Sequence, residues 1–346
     1  MKTGVWHALA GAALFGASIP VAKLLAGRIE PEMLAGLLYA GSGLGLSAFM
    51  LLRHAAQGTQ PAPLARGDCR WLAGAVLSGG VIGPVLLMLG LAATSASAAS
   101  LLLNLEGVFT ALLAWFAFRE NFDRRVMLGM FLIVCGGALL GWRPGDFAFS
   151  WPALAIAGAC LCWAIDNNLT RRISSGDAVK IAAVKGLAAG AVNLSISVAL
   201  GAALPALRDA AAATAVGLAG YGISLVLFVV ALRHLGTART GAYFSTAPFM
   251  GAALSFILLG ETPDLAFWMA AVLMGAGVVL HLTERHEHPH FHDLVTHTHG
   301  HAHDEHHQHR HDFDYDGSEP HTHPHAHEPV SHDHFHYPDI HHRHGH

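Results

Sequence analysis

The chain has 346 residues, 53% of them hydrophobic and 13% charged, about half the ~25% charged share of an ordinary soluble domain, which excludes a water-soluble main body. Up to Leu282 there are 17 Lys and Arg against 12 Asp and Glu, whereas Thr283–His346 holds 3 against 12, together with 23 of the 27 histidines. Two physically different segments therefore join near His281.

A membrane-spanning helix needs about 20 largely apolar residues. Such runs recur at 5–25, 32–52, 71–92, 97–118, 126–142, 151–169, 181–204, 212–232, 239–259 and 264–282, predicting ten spans. The first follows Lys2 and ends without a small-residue cleavage site, so it is read as a retained helix. Pro31, Pro152 and Pro263 sit at helix starts and Pro205 follows the seventh span. Pro20, Pro84 and Pro248 fall inside spans, where a missing N–H marks a bend.

With a cytoplasmic N-terminus, the inner segments carry Lys2, Arg53, Arg66, Arg70, Arg119, Arg124, Arg125, Arg171, Arg172, Lys180, Arg233, Arg239 and Arg285, against Lys23, Arg28, Arg143 and Arg208 outside. This positive-inside bias predicts an inner-membrane protein with both termini in the cytoplasm. Cys69, Cys135, Cys160 and Cys162 lie in or near apolar runs without a disulfide framework, and Cys160 and Cys162 face different directions on one helix.

At a constant offset of 141 residues, Leu91–Leu140 aligns without gaps on Leu232–His281, bringing Glu120 onto Glu261. At an offset of 148, Phe15-Gly16 and Lys23 match Trp163-Ala164 and Arg171. Five spans per half imply halves of opposite topology. The expected fold class is all-α integral membrane, with two inverted five-helix repeats, residues 1–145 and 146–284, and a disordered tail, 285–346.

The stretch Phe15-Gly16-Ala17-Ser18-Ile19-Pro20-Val21-Ala22-Lys23 and the stretch Leu105–Trp115 followed by Arg119-Glu120 resemble the signatures of the EamA-type drug/metabolite transporters. The second half is similar through Ala247-Pro248-Phe249 and Gly260-Glu261, and the resemblance covers roughly residues 5 to 282. It implies a secondary active transporter without enzymatic activity. Where that family commonly carries Pro early in the fourth helix, this chain carries Glu106-Gly107, whereas the matching second-half position keeps Pro248. The departure places a carboxylate at the centre.

Glu106 falls ten residues into its span, near the bilayer midplane. There it must face a bundle interior or a water-filled cavity, and it is the candidate for reversible protonation. Thr110 lies one turn further on the same face, with Ser97, Ser100 and Asn104 beside it. Asp166-Asn167-Asn168 occupies the cytoplasmic third of the sixth span, either lining a pathway or capping the helix and pairing with Arg171 and Arg172. Asn193, with Ser197, is a further pathway candidate or interhelical hydrogen-bond glue. Lys23 and Arg171 are expected to snorkel to the interfaces.

The tail alternates His with other residues in six runs: His286, His288, His290 and His292; His297, His299, His301 and His303; His307, His309 and His311; His321, His323, His325 and His327; His332, His334 and His336; and His342, His344 and His346. In an extended chain, imidazoles so spaced converge on one ion and suit Zn²⁺, Ni²⁺, Co²⁺ or Cu²⁺. Such a segment cannot bury a core.

These readings converge on an exporter working by alternating access with proton coupling through Glu106. Its cargo is a small metabolite or drug-like compound, with metal-linked regulation by the tail, or a divalent transition metal. A membrane-anchored metal sensor or storage protein is the reading from another class. The expected partners are the lipid bilayer, the small-molecule or metal substrate and a second copy of the chain in a homodimer. No nucleic-acid partner or required cofactor is indicated beyond the tail's divalent metal.

Overall fold

A computed structural model describes residues 2–57, 68–118, 124–143, 148–171, 177–228, 230–231, 240 and 243–282, and in the tail 289–292, 295–301, 321–327 and 330–333. The chain divides into two units, Met1–Glu284 and Arg285–His346.

The first unit is helical. Helices α1 (Lys2–Ala26) and α2 (Pro31–Gln57) come first. Helix α3 (Cys69–Ala75), a π-helical segment (Val76–Ile82) and α4 (Gly83–Ala92) then make one continuous span. Two short helices, α5 (Ala96–Leu102) and α6 (Leu105–Phe118), are followed by α7 (Arg124–Gly141). A two-residue antiparallel pairing, β1 (Trp142–Arg143) with β2 (Ala148–Phe149), leads into α8 (Trp151–Arg171) and α9 (Ala178–Ala199). Helix α10 (Leu207–Gly217) passes through a second π segment (Leu218–Ile223), and α11 (Ala247–Leu259) and α12 (Leu265–Leu282) complete the unit.

Helix starts follow local chemistry. Ser95 accepts from Ala98 N at 3.2 Å ahead of α5, and Asp177 accepts from Val179 N at 2.9 Å and Lys180 N at 3.2 Å ahead of α9. Asp264 does the same for Phe267 N at 2.8 Å before α12. Helix α11 stops at Gly260, whose φ of 64° is open to glycine at no steric cost.

Among the described residues, eight helices are long and apolar enough to cross a bilayer, and two shorter apolar helices occupy 247–259 and 265–280. The expected ninth span is shorter than its apolar run because a turn at Ser245-Thr246 precedes α11, with Pro248 in its first turn. The expected fourth span is interrupted at Leu103-Asn104, between α5 and α6. Asn104 and Ser245 are 141 residues apart, as are Ile82 and Ile223 at the ends of the two π segments. The irregularities of the chain thus recur at the same offset as its weak sequence similarity.

Helix pairing repeats in the same way. Helix α2 packs along α9 and α7 along α12. Helix α1 packs on α11 as α8 packs on α6; α4 packs on α8 as the second π segment packs on α1; and α10 packs on α2 as the first π segment packs on α9. Taking the apolar segments in chain order, a shift of five converts each pair into another of the same set.

The α2–α9 seam is lined by small residues. A Cβ added at Gly186 would stand 2.6 Å from Gly43 N, and one at Gly190 would stand 2.7 Å from Ala40 N. Backbones this close gain dispersion and exclude any larger side chain, the usual basis of helix association in lipid. Outside the seam the unit is apolar: Phe116, Phe131, Leu154, Ile257 and Val272 are all exposed, the pattern of a surface solvated by lipid tails.

In the second unit, β3 (Pro289–His292) pairs antiparallel with β6 (Val330–Asp333), and β4 (Val295–His301) with β5 (His321–His327). The ladder sets His297 opposite His325, His299 opposite His323 and His301 opposite His321. Of the expected metal-binding histidines, His286, His288, His303, His307, His309, His311, His334, His336, His342, His344 and His346 lie outside the described residues.

Replacing Gly190 with Leu should separate α2 from α9, costing about 1–3 kcal/mol or more. The expected outcome is a lower thermal midpoint and aggregation on size-exclusion chromatography in detergent, with Gly190→Ala intermediate.

Candidate functional site

The site begins with backbone groups that its helices cannot satisfy themselves. Pro84 has no N–H to give to Gly80, four residues earlier, and Gly83 N bonds to Ser78 O in the π segment, passing over Gly79. Three neighbouring helices supply the missing donors. Tyr39 Oη donates to Gly79 O at 2.7 Å, Trp163 Nε1 to the same oxygen at 2.9 Å, and Asn193 Nδ2 to Gly80 O at 3.0 Å. Asn193 is therefore committed to the backbone of the third span and is not brought to Glu106.

The break between α5 and α6 is closed by the same device. Asn104 Nδ2 donates to Leu101 O at 2.9 Å and approaches Met274 Sδ at 3.9 Å, while Cys160 Sγ reaches Leu102 O at 3.6 Å. In the second half, Thr246 Oγ1 donates to Tyr243 O at 2.6 Å. Asn104 accordingly locks the turn that starts α6.

Glu106 stands in the first turn of α6. Asn167 on α8 donates through Nδ2 to Glu106 Oε1 at 2.9 Å and to Thr110 Oγ1 at 3.4 Å. Asn168 donates to Ala164 O at 2.9 Å and Thr110 O at 3.3 Å. Of the expected pathway residues, Glu106, Thr110 and Asn167 thus form one network.

Asp166 points elsewhere on the α8 circumference. Lys185 Nζ, on α9, lies 2.5 Å and 2.7 Å from its two oxygens and 3.4 Å from Thr170 Oγ1, and Thr170 Oγ1 donates to Asp166 Oδ1 at 2.8 Å. The ion pair is largely buried, with side-chain exposures of 18% for Lys185 and 8% for Asp166. Among the described residues, Asp166 is thus neutralised by a lysine that the sequence reading passed over. A positive charge five residues into the apolar run 181–204 was the signal available.

An aromatic group is joined to the third span. Tyr39, which shares the Gly79 carbonyl with Trp163, has its ring centroid 5.6 Å from that of Tyr221, and Phe15 lies 5.9 Å from Tyr221 and 5.7 Å from Phe244.

Among the described residues, exposure beside the site lies toward one end of α8. Ile156, Cys160, Trp163 and Asn167 share one face of α8, spaced by four, three and four residues. The first three are buried and Asn167 is exposed, although the lipid-facing positions Leu154, Leu161 and Ile165 lie on the other side. Gly107 is also exposed, with no atom within 4 Å of where its Cβ would be. The interior face therefore opens one turn beyond Trp163, toward the 171 end of α8.

Toward the other end the turn at 93–95 is clamped. Lys23 Nζ donates to Leu91 O at 2.6 Å and Ala92 O at 3.0 Å, and Glu261 accepts from Ala96 N at 2.7 Å and Ser97 N at 2.9 Å. Lys23 thus caps α4 and is not merely a snorkelling side chain, because the last carbonyls of that helix lie within its reach. The matching Glu120 and the side chain of Arg171 lie outside the described residues.

Comparison with known proteins agrees with this architecture. The EamA-like transporter family matches residues 2–142 and 150–283. An uncharacterized transporter of Methanothermobacter thermautotrophicus is 30% identical over 283 residues, covering 77% of this chain and 82% of its own. The uncharacterized inner membrane transporter YedA of Escherichia coli K12 is 27% identical over 272 residues, covering 72% and 81%. A chain of known crystal structure, 20% identical, superposes with a TM-score of 0.59 over 81% of this chain and 96% of its own, a likeness of fold.

Breaking the buried pair from one side leaves an uncompensated charge, which costs about 3–5 kcal/mol. Lys185→Met should therefore lower the thermal midpoint in detergent sharply, whereas Lys185→Met combined with Asp166→Asn should restore most of it. Equal loss in both variants would show that the pair does not act as a unit.

Proposed function

The chain belongs to the EamA-like transporter family, and from that premise we propose that it is a proton-coupled secondary active exporter of a small organic compound. The observation that carries this reading is the Glu106–Asn167–Thr110 network, set on a face of α8 that is buried for three successive contacts and then opens. A carboxyl group held in the middle of a span by a neutral amide donor, and exposed toward one end, can take up a proton from that side and give it up when access changes.

Alternating access is supported by the matched irregularities at 82 and 223 and at 104 and 245, and by helix pairing that maps onto itself under a shift of five segments. Two inverted halves of this kind exchange conformations around a central site. The positive-inside bias and the inner-membrane relative support an inner-membrane location with both termini cytoplasmic, so the open end reads as the cytoplasmic one. The divalent-metal cargo has less support, since no three His, Cys, Asp or Glu residues converge among the described residues. Metal-linked regulation belongs to the tail, whose alternating histidines suit Zn²⁺, Ni²⁺, Co²⁺ or Cu²⁺.

Glu106→Gln should leave the protein inserted and folded but abolish transport driven by a pH gradient, measured in proteoliposomes against the substrate found by screening. Undiminished gradient-driven transport would remove Glu106 from the coupling role. Truncation after Arg285 should preserve transport at saturating substrate and reduce Ni²⁺ and Zn²⁺ binding, read by isothermal titration calorimetry, to near background. A truncated protein that is stable and inserted but inactive would place the tail inside the transport cycle.

A further inference from the structure

We propose that strands β4 and β5 are clasped by divalent transition-metal ions, each ion drawing imidazoles from both strands; this rests on the metal reading of the tail given above. The observation behind it is the register. His297 stands opposite His325, His299 opposite His323 and His301 opposite His321. Successive residues of a strand alternate between the two faces of a ladder, so all six histidines belong to one face. The other face carries Thr296, Thr298 and Gly300 against Ala326, Pro324 and Thr322. The outer ladder keeps the same register: His290 pairs with His332, seven residues before His297 and seven after His325.

Pro324 defines which rungs these are. It stands opposite Thr298 and has no N–H for a ladder bond, so that rung is one of the pairs that exchange no hydrogen bonds. The rungs on either side, His297–His325 and His299–His323, are then hydrogen-bonded pairs. A slip of one residue in either direction would set every one of the six histidines opposite a Thr, Gly, Pro or Ala. In the observed register, opposite Cβ atoms lie about 4.5–5.5 Å apart, whereas neighbours two along one strand lie about 7 Å apart. An ion bound at about 2.0–2.1 Å from each nitrogen is therefore reached more readily from across the ladder than from along it. Each rung supplies two ligands, and the next rung on the same face is the nearest source of more.

The ions are what such a ladder needs to persist. An isolated two-stranded hairpin is marginal in water, and the face opposite the histidines has only small residues with which to bury apolar surface. Protonated imidazoles in opposite positions would repel. Metal ions turn the same face into a set of cross-links, so that their binding free energy becomes folding free energy for the two strands. A face of imidazoles suits Zn²⁺, Ni²⁺, Co²⁺ and Cu²⁺, whereas Ca²⁺ and Mg²⁺ take oxygen ligands. The rival arrangement is local chelation, in which each run of alternating histidines binds metal by itself and the strands stay independent.

The test follows amide hydrogen exchange by mass spectrometry in the full-length protein in detergent at neutral pH, with Zn²⁺ as the probe and its binding read in parallel by isothermal titration calorimetry. Zn²⁺ should slow exchange about tenfold or more in the peptides spanning 295–301 and 321–327 together. The variant carrying His321→Asn, His323→Asn and His325→Asn should lose protection in both peptides, including 295–301, whose own histidines are untouched. The reciprocal variant, His297→Asn, His299→Asn and His301→Asn, should likewise expose 321–327. Ca²⁺ should leave exchange unchanged. Protection of 295–301 that survives removal of the β5 histidines would establish local chelation and overturn the clasp. Zn²⁺ binding without protection, exchange already slow without Zn²⁺ and unaltered by it, or equal protection by Ca²⁺ would each overturn it as well. In all four cases the calorimetry shows separately whether the tail binds Zn²⁺. Absence of Zn²⁺ binding to the full-length protein would sink the metal reading of the tail and the clasp with it.

Discussion

Every backbone N–H and C=O in the hydrocarbon layer must find a partner within the protein, and the arrangement of this molecule follows from the few places where its helices cannot provide one. Pro84 removes a donor, the π register shifts another, and the carbonyls of Gly79 and Gly80 are left to Tyr39, Trp163 and Asn193. These three side chains come from α2, α8 and α9, so satisfying two carbonyls ties four spans together. Trp163 is fixed by this bond, and Asn167 lies one turn further along the same helix. The position of Asn167 beside Glu106 is thus tied to a proline in the third span.

The fold repeats but the site does not. Asp166 corresponds, at the 148-residue offset, to Ser18, and Glu106 corresponds at the 141-residue offset to Ala247. Both acids and Lys185 therefore occupy one side of a scaffold whose two halves otherwise share helix pairing and irregularities. A scaffold of this kind can exchange conformations between similar packings while the charge stays with one face of the centre. The Lys185–Asp166 pair, being self-neutralising, can remain buried through such an exchange at little electrostatic cost, whereas Glu106 cannot remain ionised without a counter-charge.

Apolar run length made the helical membrane architecture legible in the sequence, because it depends on bulk solvation and not on details of contact. The intramembrane Glu106 stood out for the same reason, and its association with Thr110 and Asn167 followed from helical spacing and one interhelical bond. The break at Leu103-Asn104 was hidden because hydropathy does not register a change of backbone direction, and Asn104 and Glu106 read equally well as polar groups within an unbroken span. The π segments were hidden likewise: Gly79-Gly80 before Pro84 in the first, and Gly220 and Gly222 in the second, permit one but do not require it. Lys185 was missed because a single lysine near a span end reads as snorkelling, and only the geometry of α8 against α9 brings it to Asp166. Asn193 had two readings from sequence, and its partner, a main-chain carbonyl, has no sequence signature of its own.

The contrast between the two ends bears on how access would change. At the 93–95 turn, four hydrogen bonds to charged side chains hold the ends of α4 and α5 against α1 and the α11–α12 connection. Each such bond contributes about 1.5–3 kcal/mol net, so this end is held by several kcal/mol. These bonds are made at helix termini, where water can replace every partner once the turn moves, and their rupture leaves no group stranded in lipid. The bonds at Gly79 and Gly80 have no such substitute, being made inside the spans. A molecule that opens its two ends in turn is therefore expected to break its bonds at the membrane surface and keep those at its centre, so that the spans joined through the π segment move together and the surface clamps determine which end is open.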